Sequence, residues 1–332
     1  MPDAAVGDFG GIGRTPEPVD YAAVVAKVMD AVAPHVGAGK VADYIPELAR
    51  VDPGQFGLAV ATVDGAMHTA GDADTPFAIE SISKLFALAL VLARDAECDG
   101  TAVGSGAGGL WRRVRREPSG EPFNSLILLE IEKGIPRNPF INPGAIVVTD
   151  QLHALTGNAY AAVRELLRAE TGNPHLHMDS VIAESEAKCG NRNRALAYLM
   201  ADFGNMRSQV AEALDHYIRQ CSIMITCSEL ARAGLLVARR GVRADGTRLF
   251  GDAEARRLTA VMMTCGTYDE AGEFAYRVGL PCKSGVGGGM LAVVPGRCAV
   301  AAWGPGLGPK GNSVSGAAAL EAFADISGLS LF

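Results

Sequence analysis

The sequence lacks any apolar run long enough to cross a membrane. The longest run, residues 85–93, is about half the length that a membrane-spanning helix requires. The N-terminal segment contains neither the basic region nor the apolar region of a secretory signal. We therefore expect a cytoplasmic protein that has no membrane partner.

Cysteine pairs at the spacing of metal or redox sites are absent as well. The seven cysteines include no C-x-x-C pair, and such an odd set fits free thiols in a reducing compartment better than a disulfide framework. The one close histidine pair, His175 and His177, has no carboxylate or cysteine at ligand spacing, which favours a surface loop over a zinc site. The sequence therefore predicts no metal and no other cofactor.

Long blocks of like charge are also missing. The chain has 30 basic and 37 acidic residues, and the resulting net charge of −7 is spread along its length. The one basic cluster, residues 111–116, is short, and we interpret it as a solvated helix face rather than a phosphate-binding patch. We expect no nucleic-acid partner.

The composition is that of a globular protein, with 48% hydrophobic and 20% charged residues among 332. Residue patterning predicts a helix over 19–33, strands over 56–63 and 66–70 joined at Asp64-Gly65, strands over 289–294 and 297–303 joined at Pro295-Gly296, and a final helix over 313–325. The middle of the chain is predicted to be mostly helical, most clearly over 83–93, 160–170, 192–203, 208–218 and 226–239.

This order of elements predicts an α+β fold. Both ends of the chain would build one sheet, with a helical domain inserted between them. We assign residues 19–80 and 240–332 to the sheet domain and residues 81–239 to the helical domain. The Gly/Pro-rich residues 1–18 are predicted to form a flexible tail, and residues 98–109 a flexible loop.

A lysine and two serines open the apolar run in the segment ESISK (80–84). Residues three apart share one face of an α-helix, so Ser81 is expected to meet Lys84, whereas Ser83 points elsewhere. An apolar helix desolvates such a lysine and lowers its pKa, and the neutral amine can then activate a serine as a nucleophile. Ser81 could instead be a helix N-cap, and the spacing alone is weak because residues 185–188 also match it.

A second lysine, Lys283, opens the glycine-rich segment 283–289 immediately before a predicted strand. This is not a P-loop, because Gly-x-x-x-x-Gly does not precede the lysine. A Lys-Ser-Gly segment ahead of an edge strand accompanies Ser-x-x-Lys in serine acyltransferases. The backbone N–H groups of Ser81 and Val286 would then form an oxyanion hole. The alternative is a structural glycine-rich hairpin.

Longer motifs extend from about residue 44 to residue 312. They are VADYIPELA (41–49), ESISK (80–84), EPSGEPFNS (117–125), PRNPFINPGAIVV (136–148), SEAKCGNRNRALAYLM (185–200), YIRQCSIMITC (217–227), CGTYDEAGEFAYRVGLPCKSGVGGG (265–289) and KGNSVSG (310–316). Through them the sequence resembles the serine-dependent glutaminases, which share the fold of serine β-lactamases and penicillin-binding proteins. The resemblance implies hydrolysis of L-glutamine to L-glutamate and ammonia, an active site between the two domains, and a homodimer or homotetramer.

The matched positions imply individual roles. Ser81 matches the nucleophile, Lys84 its proton acceptor and Tyr268 a tyrosine beside this pair, while Lys283 has a supporting role. The positions that match substrate-binding residues are Tyr44, Ser81, Asn142, Glu186, Asn193, Tyr217, Tyr268 and Val286. Glu186 can pair with the ammonium group of glutamine, and the two asparagines can donate to its carboxylate. Without the resemblance, Glu186 would be interpreted as a surface charge and the asparagines as turn residues.

Three positions depart from the pattern that we expect of this family. Glu80 replaces a glutamine, and Pro143 and Cys282 each replace an alanine. Glu80 is expected to raise the pKa of Lys84 modestly, and Pro143 to stiffen the turn that carries Asn142. Two hypotheses compete with a glutaminase: a β-lactamase or penicillin-binding protein, which the missing S-D-N motif argues against, and a non-catalytic amino-acid-binding protein, which the intact lysines and serine argue against.

Overall fold

The computed structural model describes residues 19–98 and 109–332, so the predicted tail and the interior of the predicted loop lie outside the described residues. The strands are β1 Gly57–Thr62, β2 Met67–Gly71, β3 Phe77–Ala78, β4 Met224–Ile225, β5 Cys282–Ser284, β6 Gly289–Val294 and β7 Cys298–Trp303. The helices are α1 Tyr21–Val32, α2 Ser83–Cys98, α3 Leu110–Arg113, α4 Leu126–Ile131, α5 Asn142–Thr156, α6 Ala159–Thr171, α7 Ser180–Cys189, α8 Asn191–Asp202, α9 Val210–Cys221, α10 Cys227–Ala238, α11 Asp252–Cys265, α12 Ala271–Arg277 and α13 Val314–Ser327.

Five strands form an antiparallel sheet in the order β2-β1-β7-β6-β5, while β3 and β4 form a separate two-stranded ribbon. Strands β1, β6 and β7 are buried along their whole length, which explains why their sequences are continuous apolar runs. The two hairpins that the sequence predicts are confirmed, because β1 pairs with β2 and β6 pairs with β7, both antiparallel.

Helices cover both faces of the sheet. Helices α1 and α13 pack together on one face, where Val28, Val300 and Phe323 belong to one buried cluster. Helix α10 covers the other face and contacts β1, β6 and β7. The predicted division assigns α10 to the helical domain, but in the structure this helix packs against both the sheet and α6. The division into two domains stays a prediction.

Helix α2 lies inside the helical segment and packs against α5 and α6. Leu85, Phe86 and Leu88 of α2 are completely buried, which accounts for the apolar run that follows Lys84. No described helix is long and apolar enough to cross a membrane.

The basic cluster over 111–116 is only partly a solvated helix face. The guanidinium of Arg113, at the end of α3, is 11% exposed and pairs with the fully buried carboxylate of Asp150 in α5. It also donates to Gln151 Oε1 at 2.9 Å and to the Asn205 carbonyl at 3.0 Å. The sequence-based interpretation is therefore wrong for Arg113, which joins α3 to α5 and to the segment before α9.

Candidate active site

Ser81 lies in a single turn of 3₁₀-helix, Glu80–Ile82, that leads directly into α2. The prediction that Ser81 and Lys84 lie on one α-helix is therefore wrong. Ser81 lies in the 3₁₀ turn, and Lys84 lies in the first turn of α2. Ser83 begins α2, and its hydroxyl donates to the Glu80 carbonyl at 2.7 Å. Ser83 thus supports the turn, as its position at a helix start predicts.

Lys84 is buried, with 1% of its surface exposed. Its Nζ donates to the Phe140 carbonyl at 3.2 Å and to Asn142 Oδ1 at 2.8 Å, and it lies 5.7 Å from the centre of the Tyr217 ring. Burial lowers the pKa of Lys84 to about 8, while Cys221, Glu186 and Glu80 oppose this shift. Burial thus lowers the pKa of Lys84 and Glu80 raises it, in the directions that the sequence predicts.

Asn142 fixes the position of the lysine head group. It begins α5, and its backbone N–H donates to the Phe123 carbonyl at 2.8 Å. Its side-chain oxygen accepts from Lys84, so its NH₂ group donates to Asn193 Oδ1 at 2.9 Å. Pro143 occupies the first turn of α5, where a helix needs no N–H donor, so it removes no hydrogen bond there.

Tyr268 stands at the start of a 3₁₀ turn, Tyr268–Glu270, and is 5% exposed. Its ring lies 4.8 Å from that of Phe123, and its hydroxyl donates to the Ser284 carbonyl at 3.5 Å. Burial raises the pKa of Tyr268, and a hydrogen-bonding contact with the Ser81 hydroxyl opposes the rise. Tyr268 therefore lies close enough to Ser81 for the serine to influence its phenol.

Lys283 lies within β5, the edge strand, and not ahead of a strand as the sequence suggests. It is completely buried, and its Nζ donates to the Gly266 carbonyl at 2.8 Å and lies 4.7 Å from the centre of the Tyr268 ring. Burial lowers the pKa of Lys283 well below its ordinary value, and the charge of Lys84 adds to this effect. Lys283 therefore packs behind Tyr268.

The backbone after β5 packs directly against the backbone that carries Ser81. A Cβ at Gly285 would lie 2.9 Å from the Ile79 carbonyl oxygen and 3.3 Å from the Ser81 nitrogen, and one at Gly287 would lie 2.5 Å from the Ala78 carbonyl oxygen. Only glycine permits this approach. The glycine-rich segment therefore brings Val286, which lies between them, close to Ser81.

A cavity of about 180 Å³ opens in front of Ser81. The predicted site residues that line it are Tyr44, Ser81, Asn142, Glu186, Asn193, Tyr217 and Val286. Lys84, Tyr268 and Lys283 are buried beyond this lining. The structure thus brings seven of the predicted residues, from distant parts of the chain, to the lining of one cavity.

Other residues of the cavity were not assigned from the sequence. Phe123 and Asn124 lie in the motif EPSGEPFNS (117–125), and Arg192 lies in the motif that carries Asn193, so membership of these motifs is the sequence signal that points to them. Glu80 also lines the cavity and is 3% exposed. Ligand atoms of Glu80, Glu186 and Cys221 lie within 4.8 Å of one another, the one such set in the described residues that could hold a metal ion.

Known proteins of one family are similar to this chain over nearly its whole length. The family profile described as Glutaminase matches residues 39–332. A glutaminase of Streptomyces coelicolor is 52% identical over 315 residues, which cover 95% of this chain and 99% of that protein. Among solved structures, the probable glutaminase ybaS has a TM-score of 0.84 at 36% identity, with 94% of this chain and 99% of that chain covered. A probable glutaminase from Bacillus subtilis, complexed with 6-diazo-5-oxo-L-norleucine, has a TM-score of 0.80 at 27% identity, with 96% and 99% covered. These similarities confirm the predicted α+β fold of the serine β-lactamase type.

Proposed function

This chain belongs to the glutaminase family, and on that premise we propose that it hydrolyses the side-chain amide of L-glutamine through a serine acyl-enzyme. The observation that supports this mechanism most strongly is the position of Ser81. Ser81 lines the cavity, lies near enough to the Tyr268 phenol to affect its pKa, and stands in the turn that leads into buried Lys84.

In the proposed reaction, Ser81 attacks the γ-carboxamide carbon while its proton passes to Lys84. With a pKa of about 8, roughly one tenth of Lys84 is neutral near pH 7, whereas an ordinary lysine is almost entirely charged. In this proposal Tyr268, whose phenol lies near the serine, relays the proton. The N–H groups of Ser81 and Val286 then stabilise the oxyanion.

Collapse of the tetrahedral intermediate breaks the C–N bond. Ammonia leaves with a proton returned from the Lys84–Tyr268 side, and the γ-glutamyl group remains as an ester on Ser81. Water attacks this ester, with the same base accepting its proton, and releases L-glutamate. No metal or other cofactor enters these steps.

The polar lining of the cavity matches the α-amino acid part of the substrate. Glu186 offers a carboxylate for the ammonium group. Asn193 accepts from Asn142 through its oxygen, so its NH₂ group is left to donate to the substrate carboxylate. Tyr44 is 53% exposed at the cavity and would cover the bound substrate from the solvent side.

A coupled ammonia assay with L-glutamine and L-asparagine, run on the wild type and on Ser81→Ala, tests this function. We expect ammonia from L-glutamine with the wild type only. Release at the wild-type rate by Ser81→Ala would refute the mechanism. Binding of L-glutamine without ammonia release would indicate a non-catalytic binding protein, and labelling by a penicillin probe would indicate a β-lactamase or penicillin-binding protein.

The assembly of two or four copies and the cytoplasmic location stay predictions from the sequence. Light scattering coupled to size exclusion would measure the number of copies in solution. A monomer at assay concentrations would contradict the predicted assembly, although the hydrolytic mechanism would be unaffected.

A further inference from the structure

Glu80 and Glu186 bring two carboxyl groups into the cavity from different elements. Glu80 opens the 3₁₀ turn of Ser81, and Glu186 lies in α7. Both line the cavity, and they are 3% and 8% exposed. Their nearest carboxylate oxygens are no more than 4.8 Å apart. Two acidic groups therefore share one buried corner of the site.

One oxygen of each carboxyl group has no hydrogen-bond partner. These atoms, Glu80 Oε1 and Glu186 Oε2, are buried and unpaired. A buried polar atom without a partner costs folding free energy. The backbone of Glu80 adds a second cost, because its φ of 48° lies in the left-handed region that non-glycine residues rarely adopt. Features that cost stability and meet at one cavity are typical of a ligand site. The two oxygens are placed to accept hydrogen bonds from a ligand.

One cation acts on both carboxyls and opposes the rise in their pKa, but within the described part of the chain it makes an ion pair with neither of them. Lys84 is the one cation among the groups that influence both carboxyls, and its Nζ donates to two neutral oxygens, those of Phe140 and Asn142. The remaining titratable groups around the pair are Tyr44, Tyr217, Cys221 and Tyr268. Burial raises the pKa of both carboxyls, and Glu186 raises that of Glu80 further. With its pKa raised to about 8, Glu186 keeps its proton near neutral pH, and pairing with a bound cation would release that proton.

We propose that Glu80 is a second binding carboxylate, so that Glu80 and Glu186 together accept the α-ammonium group of the substrate. This assignment rests on the proposed function, since it concerns the same cavity. Two N–H···O bonds of about 2.9 Å at a tetrahedral angle place their acceptors about 4.7 Å apart, within the limit that the structure sets. An ammonium group can therefore donate to one oxygen of each carboxyl group at the same time.

A divalent metal fits the same corner less well. The Cys221 thiol would have to ionise to become a strong ligand, but burial raises its pKa well above the ordinary value. The Lys84 amine also lies close enough to influence all three groups, and its charged form would repel a metal cation. The chemistry of the corner therefore favours an organic ammonium ion.

The test compares L-glutamate, the expected product, with glutarate, which lacks only the ammonium group. Titration calorimetry would measure both affinities for the wild type, for Glu80→Gln and for the control Glu184→Gln. Glu184 lies on the same helix α7 as Glu186, but it is exposed and pairs with Lys188. Measurements in two buffers of different ionisation enthalpy would count the protons released on binding.

We expect Glu80→Gln to weaken L-glutamate binding by about 10- to 100-fold, the value of one charge-assisted hydrogen bond, with glutarate affinity within about threefold of wild type. About one proton should be released when the wild type binds L-glutamate, and less when Glu80→Gln binds it. In the wild type, L-glutamate affinity should rise by up to tenfold per pH unit until the pair is ionised. Glu184→Gln should behave as the wild type.

Three results would overturn the assignment: equal weakening of both ligands in Glu80→Gln, L-glutamate and glutarate affinities that both equal those of the wild type, or no proton release by the wild type. Equal weakening would indicate a purely structural role for Glu80. A wild type that binds L-glutamate as expected but releases no ammonia from L-glutamine would refute the proposed hydrolysis and leave the carboxyl pair supported. The two proposals can therefore fail separately.

Discussion

Asn142→Asp tests whether Lys84 is the base. The change is nearly isosteric and puts a carboxylate where an amide oxygen now accepts from Lys84 Nζ at 2.8 Å. Two unit charges about 4 Å apart attract by about 4 kcal/mol at an effective dielectric constant of about 20. Measured shifts for such pairs are about one to three pKa units. We therefore expect the pKa of Lys84 to rise from about 8 to roughly 9–11.

The consequence for catalysis follows from the sign of this shift. A higher pKa leaves less neutral amine, so kcat near pH 7 should fall by about 10- to 1000-fold and recover as the pH rises towards the new value. The assay is ammonia release at saturating L-glutamine across roughly pH 6 to 10. Asn142→Ala is the control, because it removes the same hydrogen bonds without adding a charge and should not move the rise in kcat to higher pH. If Asn142→Asp lowers kcat equally at every pH, Lys84 is not the base.

Three further substitutions test separate parts of the account. Tyr268→Phe should lower kcat by about 10²- to 10⁴-fold with little change in KM, and an unchanged kcat would exclude the proton relay. Asp150→Ala should lower the free energy of unfolding by about 3–5 kcal/mol in urea titrations, because it removes the carboxylate partner of the buried Arg113. A loss below about 1 kcal/mol would be typical of a surface ion pair and would contradict this expectation. Gly285→Ala should reduce kcat in a folded protein, because its Cβ would crowd the Ser81 nitrogen at 3.3 Å. Its control, Gly272→Ala, adds a Cβ that meets nothing within 4 Å, and equal activity of the two variants would refute the close packing behind the oxyanion hole.

Elements with strong local signals could be predicted from the sequence. The hairpin of β6 and β7 follows from two apolar runs around Pro295-Gly296, and both strands lie within one residue of their predicted bounds. Helix α13 begins after Ser313, whose hydroxyl accepts from the Gly316 N–H at 3.0 Å as an N-cap. In these elements local propensity and tertiary packing favour the same conformation.

Helix α5 shows where local signals fail. It opens with Asn142-Pro143-Gly144, a composition typical of a loop, yet residues 142–152 are all buried in a helix. Packing against α2 and α9 stabilises this segment and overrides its weak local preference. Strand β5 was missed for a related reason, because three residues are too few to show a period and its pairing with β6 is what defines it.

The site shows the same limit. The short spacing of Ser81 and Lys84 indicates that they are neighbours, although not that a 3₁₀ turn carries the serine. The contact between Lys84 and Asn142 joins residues 58 positions apart, and only the folded chain reveals it. The direction of the Glu80 side chain is also a tertiary property, because its neighbour Glu186 arrives on a different helix.

The acyl-enzyme is the central claim, and trapping it is the most direct test. Wild-type protein mixed with L-glutamine, quenched in acid within the first turnovers and digested, would be analysed by mass spectrometry. The account predicts that the peptide containing Ser81 gains the mass of one γ-glutamyl group, and that hydroxylamine removes it as expected for an ester. Two results would contradict the account. In one, ammonia is released steadily but the adduct lies on another residue, such as Cys221; in the other, no adduct forms even when deacylation is slowed.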